Sequence, residues 1–338
     1  MPRVIDAPTE ERIELAELIE MLETGGFDAE DEDNFASWGP TLKKLANNRD
    51  FLPELMLAEL KQRCRGQVEG NQYSAQVIML HAASKRFIVR ANFWPALKDS
   101  VIRHSGTDPF FYDIPHDHNF SFLTVGYFGP GYWSDYYEYD YGEVVGYPGE
   151  RVNLRFVEKS RLEPGKVMLY RAHRDVHLQL PADEMSVSIN IVETSHSSVF
   201  RDQYRFDVEG SRIAGILTRT SLEPMLALAA HYGGEEGQDL LAEFAEGHPS
   251  DRIRWCALRA RVSAEPVLDR PIALYPDTLL AEVMMASTYP LEVVEAERWT
   301  KNNKSLKGTQ REKALEKQSW DKSVKSLAMT PSVLEMMS

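Results

Sequence analysis

Apolar positions along the chain change their period twice. Up to about residue 66 they fall at helical spacing. Leu15, Leu18, Ile19 and Leu22 mark one face of residues 10–24, which Pro8-Thr9 opens and Gly25-Gly26 closes. Shorter helical stretches follow at 40–46 and 52–63, the second rich in Leu and Met. From about Asn71 the runs become short, β-branched and aromatic, at 72–81, 87–93, 120–127, 136–142, 152–157, 166–171 and 185–192. Gly129-Pro130-Gly131, Tyr147-Pro148-Gly149 and Glu163-Pro164-Gly165 punctuate them as turns. Strands at this spacing predict an antiparallel sandwich or barrel. From Ile213 the helical period returns, at 221–232, 236–246, 251–260 and 278–286. The pattern reads as an α+β chain. A helical region at 1–66 precedes a β-barrel or sandwich at 67–208; a helical region at 209–298 and a basic tail at 299–338, mobile at its end, follow it.

Composition narrows the function classes. The chain has 338 residues, 43% of them hydrophobic, which is ample for buried cores and more than one domain. A net charge of −14 argues against a nucleic-acid sheath or a membrane-surface protein, both of which need clustered Lys and Arg. Runs such as 77–80 and 225–230 are far too short to cross a bilayer. The charge is uneven: residues 1–60 carry 15 acidic and 5 basic groups, residues 298–325 carry 3 acidic and 9 basic groups. Cys64 and Cys256 offer neither a disulfide framework nor a C-x-x-C metal site. With no charged-then-apolar leader in residues 1–20, the expected compartment is the cytoplasm. No nucleophile elbow, P-loop or dinucleotide fingerprint is present.

The chemistry concentrates in Ile114-Pro115-His116-Asp117-His118-Asn119-Phe120. If this segment runs into a strand, the period of two sends His116 and His118 to one face, where both imidazoles can reach one metal ion. Asp117 then points the other way. A third ligand must come from a neighbouring strand, and the segment from Glu163 to Leu178 offers His173 and His177. His177 opens the run His177-Leu178-Gln179-Leu180 and suits an inward-facing ligand, while His173 lies in the preceding turn. Residues 127–147 hold 7 of the chain's 14 tyrosines, and Tyr137 and Tyr139 are the candidates to line a pocket.

H-x-H, then a Pro-Gly turn, a strand and a further His, resembles the two metal motifs of the cupin barrel over about residues 70–195. The Glu that usually follows the first pair is absent, since Phe122, Leu123 and Thr124 stand there, and Phe110 replaces the motif's leading Gly. Within that superfamily the wording I-x-H-D-H is similar to the cysteine dioxygenase-like thiol dioxygenases. The resemblance implies a three-His iron(II) site at His116, His118 and His177, with O₂ as co-substrate. It makes Arg90, in Phe87-Ile88-Val89-Arg90, the clamp for a substrate carboxylate. At the positions of that family's catalytic His and Tyr this chain has Asn190 and Val192, and its crosslinking Cys falls at Leu123. The metal scaffold is thus kept without the thiol-oxidising surroundings.

The expected function is therefore a non-haem iron(II) oxygenase of the cupin class, acting on a small acidic, amino-acid-like or peptide substrate. Three neutral imidazoles leave open positions on the metal and favour an anionic donor. Two alternatives stand beside it. One is a non-catalytic metal-binding cupin serving as an interaction module, with a protein partner docked on the helical C-terminal region. The other is a non-oxidative isomerase or hydrolase using Ni, Mn or Zn. The stretch from His248 to Arg259 also resembles the second helix of a HEAT-type repeat, although a helical bundle accommodates it equally.

Overall fold

The computed structural model describes residues 2–71, 73–82, 84–194, 200–218, 220–264, 277–287, 289–304, 306–331 and 333–334. The chain divides into two compact units, Met1–Val144 with Pro148–Thr218, and Val145–Tyr147 with Arg219–Ser338.

The first unit is α+β. Helices α1 (Leu15–Thr24), α2 (Glu32–Ser37), α3 (Gly39–Asn47), α4 (Phe51–Lys61) and α5 (Arg65–Gly70) follow a short strand β1 (Arg3–Ile5). Next come β2 (Val77–His81), β3 (Phe87–Trp94), α6 (Ser100–Ser105), β4 (Phe122–Phe128) and β5 (Tyr132–Glu138). β6 (Arg155–Leu162), β7 (Val167–Tyr170), β8 (Asp175–Gln179), β9 (Ser186–Glu193), β10 (Tyr204–Asp207) and β11 (Arg212–Ile216) complete it. The strands pair antiparallel in a six-stranded sheet, β1-β7-β4-β9-β3-β2, a three-stranded sheet, β6-β5-β8, and the hairpin β10-β11. The sheets do not close into a barrel.

Strand alternation sorts the large sheet into two faces. Phe87, Val89 and Ala91 of β3, Leu123 and Val125 of β4, and Val187, Ile189 and Ile191 of β9 share a core with Leu18, Leu22, Phe35, Leu42 and Leu45 of the N-terminal helices. The amphipathic stripe read at residues 15–22 thus finds its partner, and the helices cover one side of the sheet. The intervening residues face the smaller sheet. Trp94, Phe122, Met168, Tyr170 and Val192 pack with Tyr132, Tyr136 and Leu162 in a second, more aromatic core. This inner face is unusually polar for a sheet interior. Arg90 lies opposite Asn190 in the register, and Asn190 lies opposite Thr124, all three buried.

The β4–β5 connection depends on glycine. Gly131 has φ +80°, and a Cβ there would overlap the carbonyl oxygen of Leu162. The hairpin can therefore bring Tyr132 back under the large sheet only with that residue.

In the second unit α7 (Leu222–Tyr232), α8 (Gly234–Gly247) and α9 (Asp251–Ala264) pack around Leu226, Leu241, Ile253 and Ala257. α10 (Asp277–Ala286), α11 (Pro290–Asn302), α12 (Thr309–Glu316) and α13 (Lys322–Leu327) form another cluster with Val293, Leu315, Trp320, Val324 and Leu327 buried. The basic segment from 299 thus carries helices that bury an apolar face. The Lys residues of this stretch alternate with apolar positions at helical spacing, so one face packs while the other is solvated. Its last residues, 335–338, lie outside the described residues. No helix among the described residues is long and apolar enough to cross a membrane.

Candidate metal centre

Backbone pairing, before any side chain, fixes where the histidines point. The segment around His116 is irregular rather than the strand entry that its spacing predicts, yet it is bonded along both edges. His116 N donates to His177 O at 3.0 Å and His177 N returns the bond to His116 O at 3.0 Å. On the other side Phe206 N donates to Pro115 O at 2.9 Å and Asp117 N to Tyr204 O at 3.2 Å. The H-x-H segment therefore bridges β8 and β10, and its alternation is set by ladder bonds although it is too short to count as a strand. His177 is held in turn by the β7–β8 turn. There Arg171 reaches both carboxylate oxygens of buried Asp175, at 2.6 and 2.9 Å, and the Arg171 backbone N donates to Asp175 Oδ2 at 2.8 Å.

The three side chains meet. His118 Nε2 and His116 Nε2 each lie 3.1 Å from His177 Nε2, and one ligand atom from each residue falls within 4.8 Å of the others. A metal about 2.0–2.1 Å from each of two imidazole nitrogens, at right angles, would separate them by about 2.8–3.0 Å. Imidazoles alone explain the cluster less well. His116 Nδ1 lies 2.7 Å from the carbonyl oxygen of Ile114, the bond that puts its proton on Nδ1 and leaves Nε2 a bare lone pair. A proton on His177 Nε2 could then satisfy one neighbour but not both. Burial pushes His116 down to about 4 and holds His118 and His177 well below the usual imidazole value, so all three are neutral. Neutral, lone-pair-bearing and convergent imidazoles are the donor set that a transition metal takes. Their rim is aromatic: His118 lies 4.9 Å from both Phe120 and Phe122, and His177 lies 5.0 Å from Tyr170, ring centre to ring centre.

Of the two candidates for the third position, His177 joins the cluster and His173 does not. The His173 backbone adopts φ +59°, its N donates to His118 O at 2.8 Å, and its ring lies tilted against that of Tyr141, centroids 4.1 Å apart. It stands behind the segment, with Nδ1 4.0 Å from Asp117 Oδ2. Asp117 is fully buried. Tyr139 donates its hydroxyl to Asp117 Oδ2 at 2.6 Å, and Tyr204 N donates to Oδ1 at 2.6 Å. Burial pushes this carboxyl up to about 7 in spite of those two donors.

Arg90 projects from β3 into the sandwich interior, where its guanidinium lies 4.8 Å over the Tyr73 ring and 5.8 Å from that of Phe120. It is buried, its Nε has no hydrogen-bond partner, and no carboxylate among the described residues pairs with it. Burial lowers its pKa, and its charge in turn helps to hold His118 neutral. The tyrosines divide differently from expectation. In the unbroken β5–β8 register Tyr136 lies opposite His177, with its hydroxyl 2.9 Å from that of Tyr170. Tyr137 instead lies against Phe156 at 5.4 Å, at the margin of the core built around Tyr139, Val176 and Phe206. Tyr139 reaches the H-x-H segment only through Asp117. Tyr136 and Tyr170 are thus the phenols nearest the histidines. Tyr136 was accessible to sequence reasoning only as the opposite phase of the aromatic run.

The fold and site define an α+β chain with a largely buried three-histidine group that could hold a metal ion. The comparisons with known proteins fall mostly elsewhere. A family described only as "Protein of unknown function (DUF3300)" matches residues 266–338. Over 67 residues the chain is 46% identical to the uncharacterized protein YacH of Escherichia coli (strain K12), a stretch that is 20% of this chain and 11% of YacH. The chain therefore spans about a tenth of that relative's length. Among solved structures, the DMSP lyases RdDddP and RnDddQII align at TM-score 0.24 and 11% identity over 39% of this chain and 52% of theirs. DMSP lyase DddQ from Ruegeria pomeroyi DSS-3 aligns at 0.21 and 13% over 43% and 56%, and vicilin from Corylus avellana at 0.20 and 8% over 41% and 34%. Likeness of that extent decides nothing about this chain.

Proposed function

We propose that the first unit is a metal-dependent enzyme of the cupin class, in which His116, His118 and His177 hold iron(II) for oxygenase chemistry on a small acidic or peptide substrate. The observation that carries this reading is the convergence of three neutral Nε2 atoms, two of the spacings being 3.1 Å, with His116 and His177 buried and His118 partly buried. Bound iron(II) would supply Lewis acidity and open positions for substrate and O₂. The chain's own residues do the rest. Arg90 carries a buried positive charge without a carboxylate, which suits it to grip an anionic substrate group. Phe120 and Phe122 keep water from the rim, where electrostatic attraction gains strength. Tyr136 and Tyr170, hydrogen-bonded to each other, stand beside His177 with protons held far above neutral pH by burial.

A specific observation favours a second reading. Asn190 lies opposite Arg90, and the resemblance to the thiol dioxygenases would put a catalytic His at that position, so the proton acceptor for thiol oxidation would be missing here. A non-oxidative reaction with Ni, Mn or Zn then shares the same pocket. Oxygen uptake separates the two. Iron-loaded protein is expected to consume O₂ in the presence of an acidic substrate from an amino-acid and thiol panel, and Arg90→Gln to keep its iron while losing about tenfold or more in substrate affinity. Substrate turnover without O₂ uptake would select the non-oxidative reading; loss of iron in Arg90→Gln would contradict the assigned role of Arg90. A protein partner for the helical C-terminal region belongs to the same proposal, supported by the basic charge of residues 298–325.

A further inference from the structure

The second unit has a pocket of its own, of about 250 Å³, lined by Glu297, Thr300, Lys301, Lys304, Arg311 and Leu334, with Pro331 at its edge. It lies wholly within the residues matched to DUF3300. Three of its polar side-chain atoms, Thr300 Oγ1, Arg311 Nε and Glu297 Oε1, are buried without a hydrogen-bond partner. Thr300 is only 6% exposed and its hydroxyl has no partner, although a helical threonine ordinarily bonds back to the carbonyl of the preceding turn. Arg311 Nε is buried without an acceptor, and no carboxylate among the described residues pairs with its guanidinium. Buried donors left unmade are costly, and native folds retain few of them without a reason.

The charges specify what would satisfy them. Glu297 is buried and forms an ion pair with Lys301 one helical turn on, so those two cancel. Lys304 and Arg311 remain, two positive charges beside a hydroxyl donor and the apolar side chain of Leu334. We propose that this pocket binds a phosphate dianion, free or as the end of a phosphomonoester. Arg311 supplies a forked donor, Lys304 a second charge at the rim, and Thr300 a neutral hydrogen bond. A carboxylate would neutralise only one of the two charges.

Calorimetric titration of the full chain with inorganic phosphate, phenyl phosphate and acetate tests this. One phosphate per chain is expected to bind saturably, with acetate about tenfold or more weaker. Arg311→Gln should weaken phosphate about tenfold, and Lys304→Gln, an exposed change that cannot disturb packing, by a smaller factor. Tighter binding of phenyl phosphate identifies an ester as the source, and equal binding the free ion. No saturable binding of either phosphate, acetate binding as tight as phosphate, or unchanged affinity in both folded variants would overturn the proposal. Phosphate held at the histidine centre would survive both substitutions, so it cannot pass for this site.

Discussion

Purified His177→Ala protein is expected to lose metal affinity by more than the 10–100-fold that changes to a metal's supporting hydrogen bonds bring, because an entire ligand is gone. The effect should be this large because His177 is the hinge of the cluster. Both measured Nε2 contacts run to its Nε2, and its backbone exchanges two hydrogen bonds with His116. Removing the imidazole leaves two nitrogens on one segment, too few to strip a metal of its hydration. His173→Ala is the matched comparison. Its ring lies on Tyr141 and outside the cluster, so that variant should retain its metal. Metal content by elemental analysis after equal loading and dialysis, with circular dichroism to show both variants folded, reads the difference. Equal loss in the two variants would mean that the third ligand is misassigned.

The second large effect is on stability. Asp117→Ala removes the acceptor for the Tyr139 hydroxyl and for Tyr204 N, both at 2.6 Å, in a position with no exposure. Two buried donors would be left unmade, at about 1–3 kcal/mol each. A loss of about 2–5 kcal/mol is therefore expected in urea unfolding of metal-free protein. Asp117→Asn should lose much less, since an amide oxygen can still accept from Tyr204 N while the Tyr139 hydroxyl turns to accept from the amide. Because the H-x-H segment is pinned through Asp117, the Ala variant should also bind metal more weakly. A loss below about 1 kcal/mol would show that this network does not hold the segment.

These two residues also show how far the sequence carries. Period-two alternation placed His116 and His118 together and sent Asp117 the other way, and that geometry needs only an extended backbone. The partner of Asp117 was illegible. It comes from Tyr204 on β10, 87 positions away, in a hairpin whose short strands Tyr204–Asp207 and Arg212–Ile216 lack a long alternating run. The tyrosines are a different case. Alternation along β5 separates Tyr136 from Tyr137, and only the pairing with β8 decides which of the two lies opposite His177; a run of aromatics does not announce that phase. Arg90 was found by resemblance, but its meaning rests on burial without a carboxylate, a property of the folded interior. The packing of the basic segment is not legible from its charge alone. Leu315, Trp320, Val324 and Leu327 are spaced to bury one face among the lysines.

X-ray absorption at the metal edge of iron-loaded protein addresses the central claim most directly. One metal per chain with three imidazole nitrogens at about 2.0–2.2 Å is expected, and that shell should vanish in a folded His116→Ala/His118→Ala variant. A parent protein that binds no metal, or a metal whose shell is unchanged when both histidines are gone, would contradict it.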